Sequence, residues 1–306
     1  METMMTVGHF RSPEGRRAYT KAYLAALAAG PAPTSTRDVP TTFGTVRVHA
    51  WNEDGDTADP LVLLPGRSSG VPMWSASIPA LREFIGRPVL ALDAIGDAGM
   101  SEQTAPLTSM TDQARWVDET LAGLGCSRVH LLGHSFGGAT AAAVALHAPH
   151  RLASLLLVEP VFTLRFPPPA TFLWAVLATL SPRPAWRDHA LAAIGGVPVA
   201  EVRAATPIGE MIRVATAQYR GALPTPRPLR GSELARLAVP TYIAVAEKSL
   251  AGGERAARRA RTAIPLVEVD IWPGTSHSLP MQVPVRLATR LRAFIETRPR
   301  NTSGLP

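Results

Sequence analysis

The sequence predicts an α/β fold: a mostly parallel central sheet with helices on both faces and a helical cap inserted late in the chain. Three observations predict it. Short, wholly apolar runs of strand length recur between stretches of helical periodicity, as in strands buried on both faces. Between residues 161 and 231 the alternation stops and prolines crowd in, at 167 to 169, 182, 184, 198, 207, 224, 226 and 228. After that the strand and helix rhythm resumes. The chain thus divides into a core of residues 1–160 and 232–306 and a cap of residues 161–231.

Residues 13–29 are rich in helix formers, with Tyr19, Tyr23, Leu24 and Leu27 spaced to share one face. The pair Gly30-Pro31 ends that helix. Phe43 to Trp51 alternates, and the acidic run at 53–56 turns the chain into the strand 61–65, which reads as a hairpin. A Gly/Ser loop and a helix around 78–84 follow, then a strand at 88–93 and a Gly-rich loop. Next come a helix from Ser109 to Leu124, a strand at 129–134, a helix from Gly137 to His147 and a strand at 152–159. Beyond the cap lie a strand at 239–246, an Arg-rich helix at 252–263, a strand at 266–272 and a terminal helix at about 283–297. The tail from Arg298 reads as disordered.

Composition removes several classes of function. The 306 residues are 46% hydrophobic and 18% charged, enough apolar material for a large core. Cys126 is the one cysteine, so there is no intrachain disulfide and no all-cysteine zinc site. The opening residues run straight into RSPEGRR without the apolar stretch of a signal peptide. The longest apolar stretch, Ala170 to Leu180, is well short of the roughly 20 residues that span a bilayer. A soluble, cytoplasmic protein is expected, with no membrane span and its oligomeric state open. The net charge of +7 is almost all arginine, scattered along the chain. Its densest cluster (Arg255, Arg258, Arg259 and Arg261) has no interleaved aromatic residue, and reads as a solvated helix face, not a nucleic-acid surface. No metal-ligand set or phosphate loop competes, so no metal or other cofactor is expected.

The sharpest local signal is Gly133-His134-Ser135-Phe136-Gly137-Gly138 at a strand-to-helix junction. A serine held on so tight a turn tolerates no bulk two positions before or after it, which explains Gly133 and Gly137. The turn lifts the hydroxyl above the sheet, at a helix N-terminus that favours developing negative charge. A serine needs a base to take its proton. His277 follows the last strand on a loop at the same sheet edge. Among the eight histidines it has the placement this chemistry requires.

With these residues in view, the chain from about Tyr19 onward resembles the α/β-hydrolase fold superfamily, most closely its bacterial carboxylesterase-like members. Shared features are the Tyr19-to-Tyr23 helix, Pro40-Thr41-Thr42-Phe43-Gly44 and the loop Asp93-Ala94-Ile95-Gly96-Asp97. The resemblance implies an oxyanion hole of two backbone N–H groups. One belongs to Phe136. The other falls within Leu64-Pro65-Gly66-Arg67-Ser68, at Arg67 or alternatively Ser68. Here the sequence departs from the family, because Pro65 stands where many members carry His.

The triad acid departs too. Many members carry it as Asp after the penultimate strand, where this chain has Ser249. Two carboxylates can substitute, Glu159 and Glu247. Glu159 is favoured, since a carboxylate ending the apolar run LLLVEP is costly to desolvate unless an imidazole N–H pairs it. Asp93 and Asp97 are assigned to loop structure.

The resulting expectation is a serine hydrolase acting on a carboxylic ester, lactone or thioester, with Ser135, His277 and Glu159 as triad. Phe162, Trp174 and Met211 in the cap are expected to line an apolar pocket for a small ester-type or acyl substrate. Two rivals remain open. One is a biosynthetic enzyme of the same fold catalysing cyclisation, elimination or acyl transfer. The other is a non-catalytic small-molecule-binding protein on the same scaffold.

Overall fold

The structure, a computed structural model, describes residues 7–52, 58–204 and 206–297. The acidic turn at 53–56 and the tail from Arg298 lie outside the described residues. The chain begins with β1 (His9–Phe10), α1 (Pro13–Leu27), β2 (Ser35–Thr41), β3 (Gly44–Trp51) and β4 (Leu61–Leu64). It continues through α2 (Ile78–Ile85), β5 (Val89–Leu92), β6 (Glu102–Gln103), α3 (Met110–Gly123), β7 (Val129–His134), α4 (Phe136–His147) and β8 (Leu152–Val158). Four helices fill the next stretch: α5 (Pro169–Leu180), α6 (Pro184–Gly195), α7 (Val199–Arg203) and α8 (Pro207–Gln218). Then come β9 (Tyr219–Arg220), α9 (Gly231–Ala235), β10 (Thr241–Lys248), α10 (Gly253–Ala263), β11 (Val267–Ser276), α11 (Leu279–Gln282) and α12 (Pro284–Glu296).

The main sheet runs β11-β10-β8-β7-β4-β5-β3-β2, with β6 added beside β3. It is parallel from β11 to β5, and β3 and β2 are antiparallel additions at one edge. Successive side chains of a strand point to opposite faces. Val62, Leu64, Leu131, Leu155, Leu157, Ile243 and Val245 therefore join one core with residues of α3, α4 and α10. Leu61, Leu63, Leu132, Leu156, Val158, Tyr242 and Ala244 join the opposite core with residues of α2 and α12. This two-sided burial explains why the strands read as unbroken apolar runs.

Four local features differ from the sequence reading or are absent from it. The strand at 44–51 does not form a hairpin with the strand at 61–64: its antiparallel partners are β2 and β5, and β4 lies between β7 and β5. The segment β2 (STRDVPT) is a polar edge strand, so no apolar run announces it. On α1, Tyr19 and Tyr23 are buried but Leu24 is 55% exposed, and Ala22 and Ala26 complete the buried face instead. Arg259 leaves the solvated face of α10 and donates to the backbone carbonyls of Leu164 and Leu229, tying together the two ends of the inserted stretch.

The inserted helices are also tied to the N-terminus. Strand β1 pairs with β9, and α1 packs against α8 around a buried cluster of Tyr19, Tyr23, Ala26, Met211 and Ala215.

Candidate active site

Register brings the chemistry to one sheet edge. β7 and β8 pair in parallel up to His134 and Val158, so Ser135 and Glu159 are the next residues beyond two neighbouring strands. β4 ends beside Gly133, which places the Pro65-Gly66-Arg67 loop against Ser135. His277 follows β11, two strands along from β8.

The serine sits at φ 54°, ψ −117° between β7 and α4, a conformation that costs a non-glycine residue strain. Its flanking glycines are obligatory on contact grounds. A Cβ on Gly133 would stand 2.2 Å from the Gly137 carbonyl oxygen, and one on Gly137 would stand 2.5 Å from that of Leu64. Gly66 is equally confined: its Cβ would meet His134 Nδ1 at 2.9 Å and Ser135 Cβ at 3.2 Å.

Ser135 Oγ lies 2.9 Å from His277 Nε2, and His277 Nδ1 lies 3.1 Å from Glu159 Oε2. The three side chains form one continuous relay. Ser135 is half-buried, His277 is buried and Glu159 is fully buried. Glu159, itself at φ 49°, is held by three further donors. Ala246 N–H and Ser249 Oγ both reach Oε1 at 2.7 Å, and Leu250 N–H reaches Oε2 at 3.1 Å. These donors satisfy both carboxylate oxygens at an otherwise apolar strand end. Ser249, at the position where an Asp was expected, thus serves the carboxylate from the neighbouring strand. Glu247 points away: it is exposed and accepts from Gly274 N–H at 2.7 Å.

The two backbone donors can be compared directly. Phe136 is the first residue of α4, so its N–H has no partner within the helix. Ser68 N–H is taken by Asp97 Oδ2 at 2.7 Å, whereas Arg67 N–H has no partner among the described residues. Of the loop's two candidates, Arg67 is the one left free.

Asp97 also accepts from Ala98 N–H, so its role is to shape the loop. Asp93 accepts from Tyr23 Oη, Val71 N–H and Met100 N–H, and burial pushes its carboxyl up to about 6. Tyr23 Oη also meets His49 Nε2 at 3.0 Å.

Sequence reasoning set His134 aside, yet its ring lies 4.9 Å from that of His277 and its Nε2 is 2.9 Å from the His277 carbonyl oxygen. Burial, followed by the neighbouring His277, lowers its pKa to about 3. It is therefore neutral, with Nε2–H donating to that carbonyl and supporting the loop that carries His277. Its position next to Ser135 in the motif was the available signal.

The cap residues named from sequence separate. Phe162, at φ 64°, packs edge-on to Phe166 and Phe172 and lines a cavity of about 480 Å³ beside Ala139, Ala142 and Leu146 of α4. Trp174 is half-buried on α5. Met211 is fully buried in the α1–α8 cluster. The neighbouring cap aromatics Phe166, Phe172 and Trp186 are exposed at 60%, 46% and 50%. No group of three or more metal-ligating side chains occurs among the described residues.

A sequence model described as the alpha/beta hydrolase family matches residues 61–290. The 1-acylglycerol-3-phosphate O-acyltransferase ABHD5 of Sus scrofa is 36% identical over 104 residues, covering 33% of this chain and 29% of that protein. Carboxylesterase YbfK of Bacillus subtilis (strain 168) is 28% identical over 151 residues, covering 49% of this chain and 50% of that protein. The chain thus spans half or less of the length of these two curated relatives. The crystal structure of naproxen esterase (carboxylesterase NP) from Bacillus subtilis superposes with TM-score 0.84 at 23% identity, covering 93% of this chain and 99% of that one. Carboxylesterase CesB (YbfK) from the same organism gives TM-score 0.84 at 23% identity, covering 94% and 100%. These superpositions establish the shared fold.

Proposed function

The chain belongs to the alpha/beta hydrolase family, and on that premise we propose that it is a serine hydrolase cleaving a carboxylic ester, lactone or thioester through an acyl-enzyme. The observation that carries this reading is the relay from Ser135 Oγ through His277 to Glu159, at 2.9 and 3.1 Å. His277 Nε2 takes the hydroxyl proton as Ser135 Oγ attacks the carbonyl carbon. Glu159 accepts from Nδ1–H, which holds the tautomer whose Nε2 can act as base and stabilises the imidazolium that forms. The tetrahedral oxyanion is held by the N–H groups of Phe136 and Arg67. Collapse breaks the bond to the leaving group, which takes the proton back from His277. Water activated by the same imidazole then releases the acid and regenerates the Ser135 hydroxyl. Every group used belongs to the chain, and the proposed chemistry draws on no cofactor.

The stretch 161–231 acts in this reading as a cap over the sheet edge. Its contact with the site is the end of α6, where the Gly195 carbonyl accepts from Ser276 Oγ and Ser278 Oγ on either side of His277. The substrate is proposed to be small and apolar, with Phe162, three residues beyond Glu159, the nearest in sequence of the three cap residues named for the pocket.

The test is turnover of a chain-length panel of p-nitrophenyl esters, thioesters and lactones, with product masses recorded. Hydrolysis that falls about 10³-fold or more in Ser135→Ala supports the reading. Transfer of the acyl group to an added alcohol in preference to water would redirect the proposal to acyl transfer. Absence of turnover across the panel, with no covalent adduct at Ser135, would leave a binding protein.

A further inference from the structure

Helix α5 (PATFLWAVLATL) is apolar almost throughout, yet Ala178 is its only buried residue. Its outward residues are not scattered. At 100° per residue, Phe172, Val176, Leu180 and Leu173 fall within one stripe about 100° wide, roughly opposite Ala178. These four are 46% to 66% exposed. Phe166 just before the helix and Trp186 on α6 are 60% and 50% exposed. A contiguous set of large apolar side chains on a folded surface marks a docking face.

The charges around the face indicate what docks there. No acidic residue occurs from Pro160 to Arg187, while Arg165, Arg183 and Arg187 do. Arg165 and Arg183 are exposed at either end of the helix, and none of the three makes an ion pair among the described residues. Residues 161–231 contain eight arginines against Asp188, Glu201 and Glu210, so this stretch carries +5 of the chain's +7, although Arg227 pairs outside it with Glu233.

We propose that the outer face of α5, with Phe166 near its start, docks onto an anionic lipid surface. The apolar stripe enters the acyl boundary while Arg165 and Arg183 meet lipid phosphates. The helix lies on the membrane without crossing it, since no described helix is long and apolar enough to span one. A second copy of the chain fits less well. A twofold contact places the same patch on both partners, so the arginines would meet like charges with no nearby acid to neutralise them. The proposal does not depend on the reaction assigned to Ser135, because its readout is binding.

The experiment is co-sedimentation of the full chain with phosphatidylglycerol vesicles, with phosphatidylcholine vesicles alongside. Binding to the anionic vesicles is expected to weaken about 10-fold or more in Leu173→Ser/Leu180→Ser, which removes the apolar insertion. Arg165→Gln/Arg183→Gln should weaken it too and reduce its sensitivity to added salt. Thermal melts matching wild type would show that both variants remain folded. The proposal is overturned if the wild-type chain does not bind phosphatidylglycerol, or if binding is unchanged in both variants. It is overturned as well if sedimentation shows a dimer that Leu173→Ser/Leu180→Ser dissociates, which would assign the face to a second copy.

Discussion

Replacing Glu159 by Gln tests the acid through two faults that the geometry makes unavoidable. If the Gln carbonyl faces His277, its NH₂ takes the Oε1 position, 2.7 Å from Ala246 N–H. That buried donor-to-donor contact costs about 1–3 kcal/mol of stability. If the amide flips, the NH₂ points at Nδ1 and His277 must carry its proton on Nε2, the nitrogen needed as base. Either way the imidazole loses the charge that stabilises its protonated form. The expected result is a fall in kcat of about 10²–10⁴-fold with a smaller change in KM. Ser249 supplies the control, since its Oγ already touches Glu159 Oε1 at 2.7 Å. Adding Ser249→Asp to Glu159→Gln should recover part of the lost rate, because it returns a carboxylate to the same pocket. Ser249→Asp alone should destabilise the protein by crowding two buried carboxylates. Initial rates on a p-nitrophenyl ester and thermal melts of the four proteins read both effects. Wild-type kcat in Glu159→Gln would refute the role given to Glu159.

Glu247→Gln should leave kcat near wild type, since Glu247 touches Gly274 N–H and not His277; a loss rivalling that of Glu159→Gln would move the acid. His134→Phe removes the donor to the His277 carbonyl while keeping a flat ring, and should lower kcat about 10-fold with KM little changed; a change confined to KM would contradict a positioning role. Stability should fall as the pH drops below about 6.5. Burial lowers His130 and His134 to about 3 and His49 to about 4, so each takes up its proton only on unfolding. Asp93, raised to about 6, works in the opposite sense by holding a proton in the folded state that it releases on unfolding. For these four groups the balance at pH 5 is a net uptake of about two protons on unfolding, or about 2–3 kcal/mol per pH unit, which buried Asp97, raised in the same sense as Asp93, reduces. Chemical denaturation between pH 4.5 and 6 should show stability rising with pH, and a flat or falling profile would count against that balance.

What could be read from the chain depended on whether the constraint was local. The elbow was legible because Gly133 and Gly137 answer backbone contacts set within a few residues of Ser135. Glu159 was legible because a carboxylate at the end of LLLVEP needs a partner whatever the fold. The choice between Arg67 and Ser68 was not, since it turns on Asp97, 29 residues away, occupying the Ser68 N–H. Nor was the service of Ser249 to Glu159, a bond between residues 90 apart in the chain, each just beyond the end of its strand. Strand β2 escaped because a polar edge strand lacks an apolar signature, and β1 because two residues paired to β9 carry no pattern of their own. The cap aromatics were assigned inward for a related reason. A helix apolar on all sides gives no periodicity from which its outer face could be told.

The central claim is that Ser135 is a nucleophile activated by His277, and covalent labelling tests it most directly. Incubation with a fluorophosphonate, followed by intact-mass and peptide-mapping spectrometry, should give one adduct per chain, located on Ser135. In His277→Ala its formation should slow by about 10³-fold or more. An adduct on another residue, no adduct at all, or labelling of Ser135 at an undiminished rate without the imidazole would contradict the account.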